Sequence, residues 1–441
     1  MSSDNLDSQR TGPVLPPGYR RNFWCLAMDF CFFGIGLSFF GPGTVVPSFL
    51  TELGASATVI GLLSTLQRAG WLMPQLVAAR YISDKPYKKP FILLPAGISR
   101  PMILVLAILI LVTQAQNPPL LITVTMVVIG IFWLGDGLAS LPWFDLLGKS
   151  IPAERRGRLT IVGQILSGVA GFATGFGVEW LLSDRGPIYP TNYALLFALG
   201  FSMLAISFTA LALTKENKGM AGEHVPSWAE YLPQLGRLLK RDRVFRRFLL
   251  ARQVFSVAGL ASPFYMTYAL DRLNLPAQVA GRYTSIGVVG TITAAVLFGW
   301  LNEHRGTKVT SATSILVTSA IPVLALIVPF VVKDPTWLAW AYGLVFLATN
   351  ASFASYMPGW TAYLLEWAPE AERPVYVGLT NTINGLTALV SVLGGAILQW
   401  TGGNYEVLFA ITAIGTLIAL PVAMGLPEPR RITREATLAS P

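Results

Sequence analysis

Five ionisable side chains interrupt long apolar runs of the sequence: Asp29, Arg68, Arg100, Asp136 and Arg252. If these runs lie in a lipid bilayer, a charge near the centre of a run costs about 2.5–3.5 kcal/mol or more. Residues of this kind serve ion pairing, substrate binding or proton transfer. Because two acids face three bases, pairing between helices could satisfy most of these charges.

Asp136 is the candidate for proton transfer, since it lies between Gly135 and Gly137 deep inside its run. Arg68 and Arg100 have the right depth to pair with it. A carboxylate beside an arginine can either exchange a proton or form a permanent structural ion pair. The sequence leaves both interpretations of Asp136 open.

Uncharged polar and aromatic side chains in the same runs indicate what a site could recognise. Amides form hydrogen bonds with hydroxyl groups and aromatic rings stack on planar molecules, which together fit a polar organic solute. The alternative is that these side chains only hold helices together. The candidates are Gln164, Gln253, Tyr265, Asn350, Tyr356, Trp360, Asn381 and Asn384.

The composition predicts the elements that position these residues. The chain has 441 residues, of which 53% are hydrophobic and 12% charged, whereas soluble domains carry about 25% charged residues. Apolar segments long enough to cross a bilayer recur along the chain, which predicts an all-α polytopic membrane protein with twelve spans. The predicted spans are 22–49, 58–80, 89–113, 119–146, 158–182, 192–213, 247–270, 277–301, 308–332, 335–365, 375–400 and 404–425.

The distribution of Lys and Arg predicts the orientation of these spans. With both termini in the cytoplasm, 25 of the 32 basic residues fall in inner loops and tails and four fall in outer loops. Because cytoplasmic loops retain positive charge, the formal net charge of +9 is a topology signal, and no nucleic acid partner is predicted. The short loops favour the plasma membrane of a bacterium.

Several classes of chemistry are not expected. Cys25 and Cys31 lie six residues apart in one apolar run, and His224 and His304 fall in polar loops. This inventory argues against a Cys/His metal centre and against a Ser/His/Asp site within the membrane. No phosphate-binding loop of an ATPase occurs either. We therefore predict a monomer without enzyme activity, metal or cofactor.

The longest break between spans covers 214–246. Trp228, Leu232, Leu235 and Leu239 recur there at helical spacing, which predicts a helix on the inner membrane surface or, equally, a solvated linker helix. The predicted organisation is a cytoplasmic tail over 1–21, six helices over 22–213, the linker over 214–246, six helices over 247–425 and a second cytoplasmic tail over 426–441.

The two groups of six spans are related by an internal repeat. Matches in one order indicate two homologous halves, which is an architecture of transporters. In this repeat the counterpart of Asp136 lies near Ser352, which cannot titrate. Three pairs of segments match at offsets of 217 to 220: 59–61 with 279–281, 80–89 with 299–308, and 152–155 with 369–373.

One of these repeated loops resembles a motif of the major facilitator superfamily. The family's loop between spans two and three reads roughly Gly-x-Leu-Ala-Asp-Arg-x-Gly-Arg-Lys. The second half of the chain fits this pattern with Gly299, Leu301, Glu303, Gly306 and Lys308.

The first half fits the same motif less completely. It keeps Asp84, Lys88 and Lys89 but has Arg80 and Tyr87 where the family prefers glycine. A second family feature is an acidic end of span four followed by Pro-x-x-Arg-Gly-Arg, which corresponds to Asp145 and the segment 152–158. The resemblance covers essentially the whole chain apart from the tails.

The resemblance implies a twelve-helix secondary transporter that works by alternating access, with spans one, four, seven and ten around a central cavity. On this basis Asp29, Asp136 and Arg252 can face the cavity, and an Asp29–Arg252 pair between the halves would form an inner gate. The alternative is that each residue is paired inside its own half.

Charged residues at the inner ends of the helices are predicted to latch the two halves in one state and release them in another, because weak surface pairs suit a reversible contact. The alternative is that Lys88 and Lys89 only retain the topology. The predicted gating residues are Asp84, Lys88, Lys89, Asp145, Arg155, Glu303, Lys308 and Arg373.

The predicted function is transport of a small polar organic solute, such as a sugar or a related metabolite, with protons as the favoured coupling ion and the lipid bilayer as partner. The second hypothesis is multidrug efflux of lipophilic cations. Span five keeps Gly171 and Gly175 of the drug-antiporter motif but lacks its proline and last glycine, which ranks efflux second. A third hypothesis is a transporter-like membrane receptor that does not cycle.

Overall fold

The computed structural model describes residues 18–82, 85–218, 228–369 and 372–430, and these residues form helices without any β-strand. The predicted gating residue Asp84 lies outside the described residues, as do most of the two predicted tails and the side chain of Arg373. Within the described ranges, the predicted all-α fold is confirmed.

Eight helices form the first half of the chain. Their lengths fit the predicted spans, except that span one bends at Gly41 and span three is interrupted at Arg100. The bounds are Tyr19–Phe40, Val45–Glu52, Ala57–Ile82, Pro90–Ser99, Pro101–Thr113, Pro118–Ser150, Ala153–Leu181 and Thr191–Leu213.

The linker contains the helix Trp228–Arg241, so the predicted helix exists, although the side chains of Trp228, Leu232 and Leu235 lie outside the described set. The second half then follows. Its bounds are Arg243–Phe255, the 3₁₀ helix Ser256–Leu260, Phe264–Asp271, Val279–Val331, Pro335–Ala341, Gly343–Ala354, the π-helix Met357–Thr361, Ala362–Trp367, Arg373–Thr387, Val390–Trp400, Tyr405–Leu417 and Ala419–Met424.

Nine helical segments in the described ranges are long and apolar enough to cross a membrane. One of them, Val279–Val331, turns at Gly306, whose φ of 84° separates two spans. The helix Ala57–Ile82 and the broken helix Arg243–Asp271 occupy the positions of predicted spans two and seven. The structure is therefore consistent with the predicted count of twelve.

Local sequence explains where several helices begin. Asn117 and Asp334 each precede a proline and accept hydrogen bonds from backbone N–H groups of the first turn. Proline is suited to the first helical position because that position needs no N–H partner, and an Asn or Asp side chain satisfies the free donors that follow. Asn404 begins span twelve in the same way.

The two halves contact each other through spans two and eleven and through spans five and eight. Lipid removes the hydrophobic drive between helices, so small residues that permit close approach matter more. A Cβ added to Gly281 would overlap the backbone nitrogen of Glu179, and one added to Gly395 would overlap the carbonyl oxygen of Ala57. These glycines therefore allow the halves to pack backbone against backbone.

We call the end of the bundle that carries Tyr19 and Arg430 the proximal end, and the opposite end the distal end. Hydrogen bonds between the halves in the described ranges lie towards the distal end. They join Thr44 to Thr284 at 2.9 Å, Ser285 to the Phe172 carbonyl at 2.8 Å and Thr65 to the Ala388 carbonyl at 2.9 Å.

Candidate functional site

Asp29 is buried in a hydrogen-bonded cluster within the first half. The Ser207 hydroxyl donates to Asp29 Oδ1 at 2.5 Å and the Trp143 indole donates to Oδ2 at 2.8 Å. Arg100 donates to Ser207 Oγ at 3.1 Å and to the Leu204 carbonyl at 3.1 Å. Ser207 therefore connects the carboxylate to the guanidinium, and spans one, three, four and six are joined by this cluster.

Asp136 lies close to the same cluster. It interacts electrostatically with Arg100 and Asp29, and the Trp71 side chain lies near it. Its helix packs tightly there, because Cβ atoms on Gly135 and Gly137 would overlap Ser99 and the backbone of span two. Of the two predicted partners of Asp136, the structure brings Arg100 near it.

Arg252 is 9% exposed and lies among aromatic rings. Its Cζ atom is 4.2 Å from the centroid of the Tyr356 ring, 5.1 Å from that of Trp360 and 5.5 Å from that of Phe255. The ring faces carry partial negative charge, which stabilises a cation where a bare apolar surrounding would not. Spans seven and ten position this group.

Arg68 reaches the same region from the other half. A Cβ atom on Gly259 of span seven would stand 3.2 Å from Arg68 Nη1. The charge of Arg68 also interacts with that of Arg252. Two guanidinium groups from opposite halves thus influence each other, and neither forms a salt bridge with a described carboxylate.

Amide side chains complete this site. Gln253 Nε2 donates to Asn384 Oδ1 at 3.3 Å, and Asn384 Nδ2 donates to the Tyr356 hydroxyl at 3.5 Å. Among the described residues, Arg252 Nε, Gln253 Oε1 and Trp360 Nε1 are buried without a hydrogen-bond partner. We call the group Arg68, Arg252, Gln253, Tyr356, Trp360 and Asn384 the central site.

The other predicted binding residues lie elsewhere. Tyr265 packs on Phe409 in the core of the second half, with ring centroids 5.4 Å apart. Asn350 donates to the Phe346 carbonyl of its own helix at 3.0 Å and packs against Gly287. Gln164 is exposed and Asn381 is partly buried. In this structure Tyr265 and Asn350 therefore contact protein groups away from the central site, and a binding role for them stays a prediction.

The predicted pair between Asp29 and Arg252 is not formed in this structure. Asp29 is bound by Ser207 and Trp143 of its own half, and Arg252 stacks on Tyr356 of its own half. In this structure both residues therefore have partners within their own half, as the alternative interpretation proposed.

Three predicted gating residues of the first half, Lys88, Lys89 and Asp145, belong to one cluster at the proximal end. Lys149 Nζ is 2.5 Å from Asp145 Oδ2 and 3.6 Å from Glu216 Oε1. Glu216 also accepts from the backbone N–H groups of Lys88 at 2.6 Å and Lys89 at 2.9 Å. Arg155 lies separately, over the Tyr19 ring at 5.2 Å.

The second half repeats this arrangement. Glu428 accepts from the backbone N–H of Lys308 at 3.0 Å and of Thr307 at 3.3 Å. Arg430 Nη2 donates to Glu366 Oε1 at 2.7 Å, and the charge of Glu303 also interacts with Arg430. Both clusters are internal to their own halves, so a latch between the halves stays a prediction.

Sequence reasoning missed two sets of residues. Glu216 and Glu428 follow the last helix of each half, and an acid shortly after the last span of each half was the available signal, although their offset of 212 differs from that of the aligned segments. Glu179 and Arg282 join the halves at the distal end, with Arg282 Nη2 2.5 Å from Glu179 Oε1. The sequence did offer a signal for this pair. Span five ends with an acid and span eight begins with an arginine, both on the side of the membrane that has few charges.

Asp242 anchors the start of span seven outside the membrane-spanning part. Its Oδ1 accepts from the Phe245 N–H at 2.8 Å, and its Oδ2 accepts from Trp367 Nε1 at 2.9 Å and the Tyr376 hydroxyl at 2.7 Å. Burial raises the pKa of this carboxyl, but the hydrogen bonds outweigh burial and hold the pKa below its usual value.

Comparison with known proteins gives a family match for the second half of the chain. Residues 248–439 match the sequence profile of the Major Facilitator Superfamily. An uncharacterized protein of Mycobacterium tuberculosis is 23% identical over 401 residues, which is 86% of this chain and 74% of that protein. An uncharacterized protein of Mycobacterium bovis is similar to the same extent.

Solved structures share the fold. The nucleoside transporter NupG superposes with a TM-score of 0.67 at 16% identity, covering 92% of this chain and 99% of that one. A bacterial homologue of the iron transporter ferroportin, in its inward-facing state, gives 0.68 at 12% identity over 92% and 97%. A D-xylose–proton symporter gives 0.61 at 16% identity over 92% and 98%. The predicted resemblance is confirmed: the second half of the chain matches the family profile, and the fold of this multi-pass membrane protein is that of the transporters named above.

Proposed function

We propose that this protein is a secondary transporter that moves a small polar organic solute by alternating access, coupled to protons. The membrane is the bacterial inner membrane, with both termini in the cytoplasm, as the distribution of basic residues indicates. A nucleoside transporter and a D-xylose–proton symporter share the fold, and both move polar organic solutes.

The central site is the observation that carries this proposal. It receives Arg68 from one half and Arg252 from the other, and it holds amides and aromatic rings. A solute bound there would contact both halves, so its binding can change how they rock against each other. The contacts between the halves at the distal end support a state that is closed there, opening the site towards the proximal end.

Proton coupling is assigned to the cluster of the first half. Asp29 and Asp136 lie near one guanidinium, that of Arg100. If both carboxylates are ionised, the cluster holds one more negative than positive charge, and one proton neutralises it. Because the Arg100–Ser207–Asp29 hydrogen bonds join spans one, three and six, a change of charge at Asp136 can alter their packing.

The test is transport by purified protein in proteoliposomes. With a substrate found by screening, the Asp136→Asn variant should lose accumulation driven by a proton gradient but retain counterflow exchange, which needs no proton. Asp184→Asn, in the exposed distal loop, is the matched control and should transport normally. Accumulation by Asp136→Asn at the normal level would remove this residue from the coupling mechanism.

The same assay separates the other two hypotheses. A receptor that does not cycle would bind ligand without counterflow in liposomes. Efflux of lipophilic cations would appear as uptake of cationic dyes into inverted vesicles, and the two guanidinium groups of the central site oppose it by charge repulsion.

A further inference from the structure

We propose that the transported solute is a small organic anion, and that Arg68 and Arg252 bind its carboxylate or phosphate group between the two halves. This inference rests on the proposed function and names its substrate class. The sequence suggested a sugar-like solute, for which amides and rings would suffice; the placement of the two arginines is what points to an anion.

The charge of the central site carries the first step. Arg68 comes within 3.2 Å of the Cβ position of Gly259, and its charge interacts with that of Arg252. Neither guanidinium forms a salt bridge with any carboxylate in the described ranges, whereas Arg100 has both Asp29 and Asp136 nearby. Arg252 is buried whereas Arg68 is exposed, and two like charges that approach each other without a counter-ion repel. A bound anion supplies the missing charge.

The hydrogen-bonding capacity of the site carries the second step. Arg252 Nε and Trp360 Nε1 are buried donors without a partner, and Gln253 Oε1 is a buried acceptor without one, within the described part of the chain. A buried polar group left unsatisfied costs about 1–3 kcal/mol. Oxygen atoms of an anion can accept from the donors, and a hydroxyl or amine of the same molecule can donate to Gln253.

The geometry of Arg252 favours an anion over a cation. Its Cζ lies 4.2 Å from the centroid of the Tyr356 ring, so the face of the guanidinium is covered and its edges remain for in-plane hydrogen bonds. This presentation suits bidentate binding of carboxylate or phosphate. The ring faces that could otherwise attract an organic cation are already occupied by Arg252.

Placement of one arginine on each half gives the anion a role in the cycle. In the empty site, repulsion between Arg68 and Arg252 opposes closure of the halves around it. A bound anion turns this repulsion into attraction on both sides, because each guanidinium then faces a negative charge. The loaded protein therefore closes more readily than the empty one, so that binding of the solute shifts the equilibrium between the two states.

The experiment measures thermal unfolding of the purified protein in neutral detergent. The probes are succinate, benzoate and glycerol 3-phosphate, each beside its uncharged counterpart succinamide, benzamide or glycerol. At least one anion should raise the unfolding temperature in a saturable manner while its counterpart does not. Arg68→Gln should weaken that affinity about tenfold or more, as expected for the loss of a charged hydrogen bond.

Further variants guard against loss of fold. Arg252→Gln should abolish the stabilisation, and Arg252→Lys, which keeps the charge, should retain a weaker one. The control is Arg185→Gln, an exposed arginine of the distal loop, which should bind as the unmodified protein does. Equal stabilisation by an uncharged counterpart, unchanged affinity in Arg68→Gln, or stabilisation by none of the three anions would overturn the proposal.

A lipid headgroup carries the same chemistry, so one arm adds phosphatidylglycerol to the detergent. Stabilisation by phosphatidylglycerol but by none of the soluble anions would also overturn the proposal. Counterflow in phosphatidylcholine liposomes separates this inference from the proposed function. If an anion binds in a manner that depends on Arg68 but no counterflow occurs, the proposed transport function is contradicted and the anion inference is not. Gradient-driven flux of an uncharged solute, unaffected by Arg68→Gln, contradicts the anion inference alone.

Discussion

Glu179 and Arg282 join the two halves at the distal end through a salt bridge of 2.5 Å between Oε1 and Nη2. Glu179 ends span five of the first half and Arg282 begins span eight of the second. Arg282 is held from its other side by the Trp340 ring, with Cζ 4.2 Å from the ring centroid. Both side chains are partly shielded, at 23% and 15% exposed, so this pair is suited to holding the distal end closed.

The first prediction is that Glu179→Gln opens the distal end more often. Losing a charged hydrogen bond costs about 1.5–3 kcal/mol, which is a roughly tenfold or larger change of population. The measure is the rate of disulfide formation between Thr44→Cys and Thr284→Cys, in a background where Cys25 and Cys31 are replaced by serine. The rate should fall in Glu179→Gln and not in the loop variant Asp184→Asn; equal rates would mean that the pair does not stabilise closure.

The second prediction concerns the close approach of spans five and eight. A Cβ on Gly281 would overlap backbone atoms of Gly175 and Glu179, which cannot rotate away. Gly281→Ala should therefore prevent distal closure, abolish transport and slow the same cross-link. Gly299→Ala is the control, because no described atom lies within 4 Å of its Cβ position. If Gly281→Ala transports as Gly299→Ala does, this contact is not part of the cycle.

The third prediction tests the cluster around Asp29. Ser207→Ala removes the donor to Asp29 and an acceptor of Arg100, both buried, so the free energy of unfolding should fall by about 1–3 kcal/mol. Ser202 lies on the same helix, is exposed and bonds only to the Ala198 carbonyl of its own helix. Ser202→Ala should be nearly neutral. Unfolding in mixed micelles measures both variants, and equal stability would show that Ser207 contributes little.

The fourth prediction is a pH dependence of stability. The pKa of Asp242 is lowered in the folded protein because its hydrogen bonds outweigh burial. Its contribution is therefore fully present above the unfolded pKa of about 3.9 and is lost as pH falls through the folded value. Asp242→Asn should have a lower unfolding temperature than the unmodified protein above about pH 4, and the two should converge in stronger acid. A constant difference across this range would contradict the assignment.

The sequence by itself determined the class of fold and the inventory of charges. Apolar length predicted the spans, because a bilayer requires about 20 apolar residues for each crossing. Internal repetition predicted paired features, and in the structure Glu216 and Glu428 bind equivalent backbone N–H groups of the two halves. The free-energy cost of a charge within the bilayer identified the residues that need an explanation: Asp29, Arg68, Arg100, Asp136 and Arg252.

Tertiary structure alone decided which of these charges meet. Spacing along a helix gives depth, but helix rotation and tilt are set by packing against neighbours. Depth alone therefore allowed Asp29 to pair with Arg252. In the packed structure Asp29 instead accepts hydrogen bonds from Ser207 and Trp143, and Arg252 lies over the Tyr356 ring. For the same reason no pattern along the chain placed Arg68 beside Gly259 of span seven. That approach exists only because spans from separate halves pack against each other.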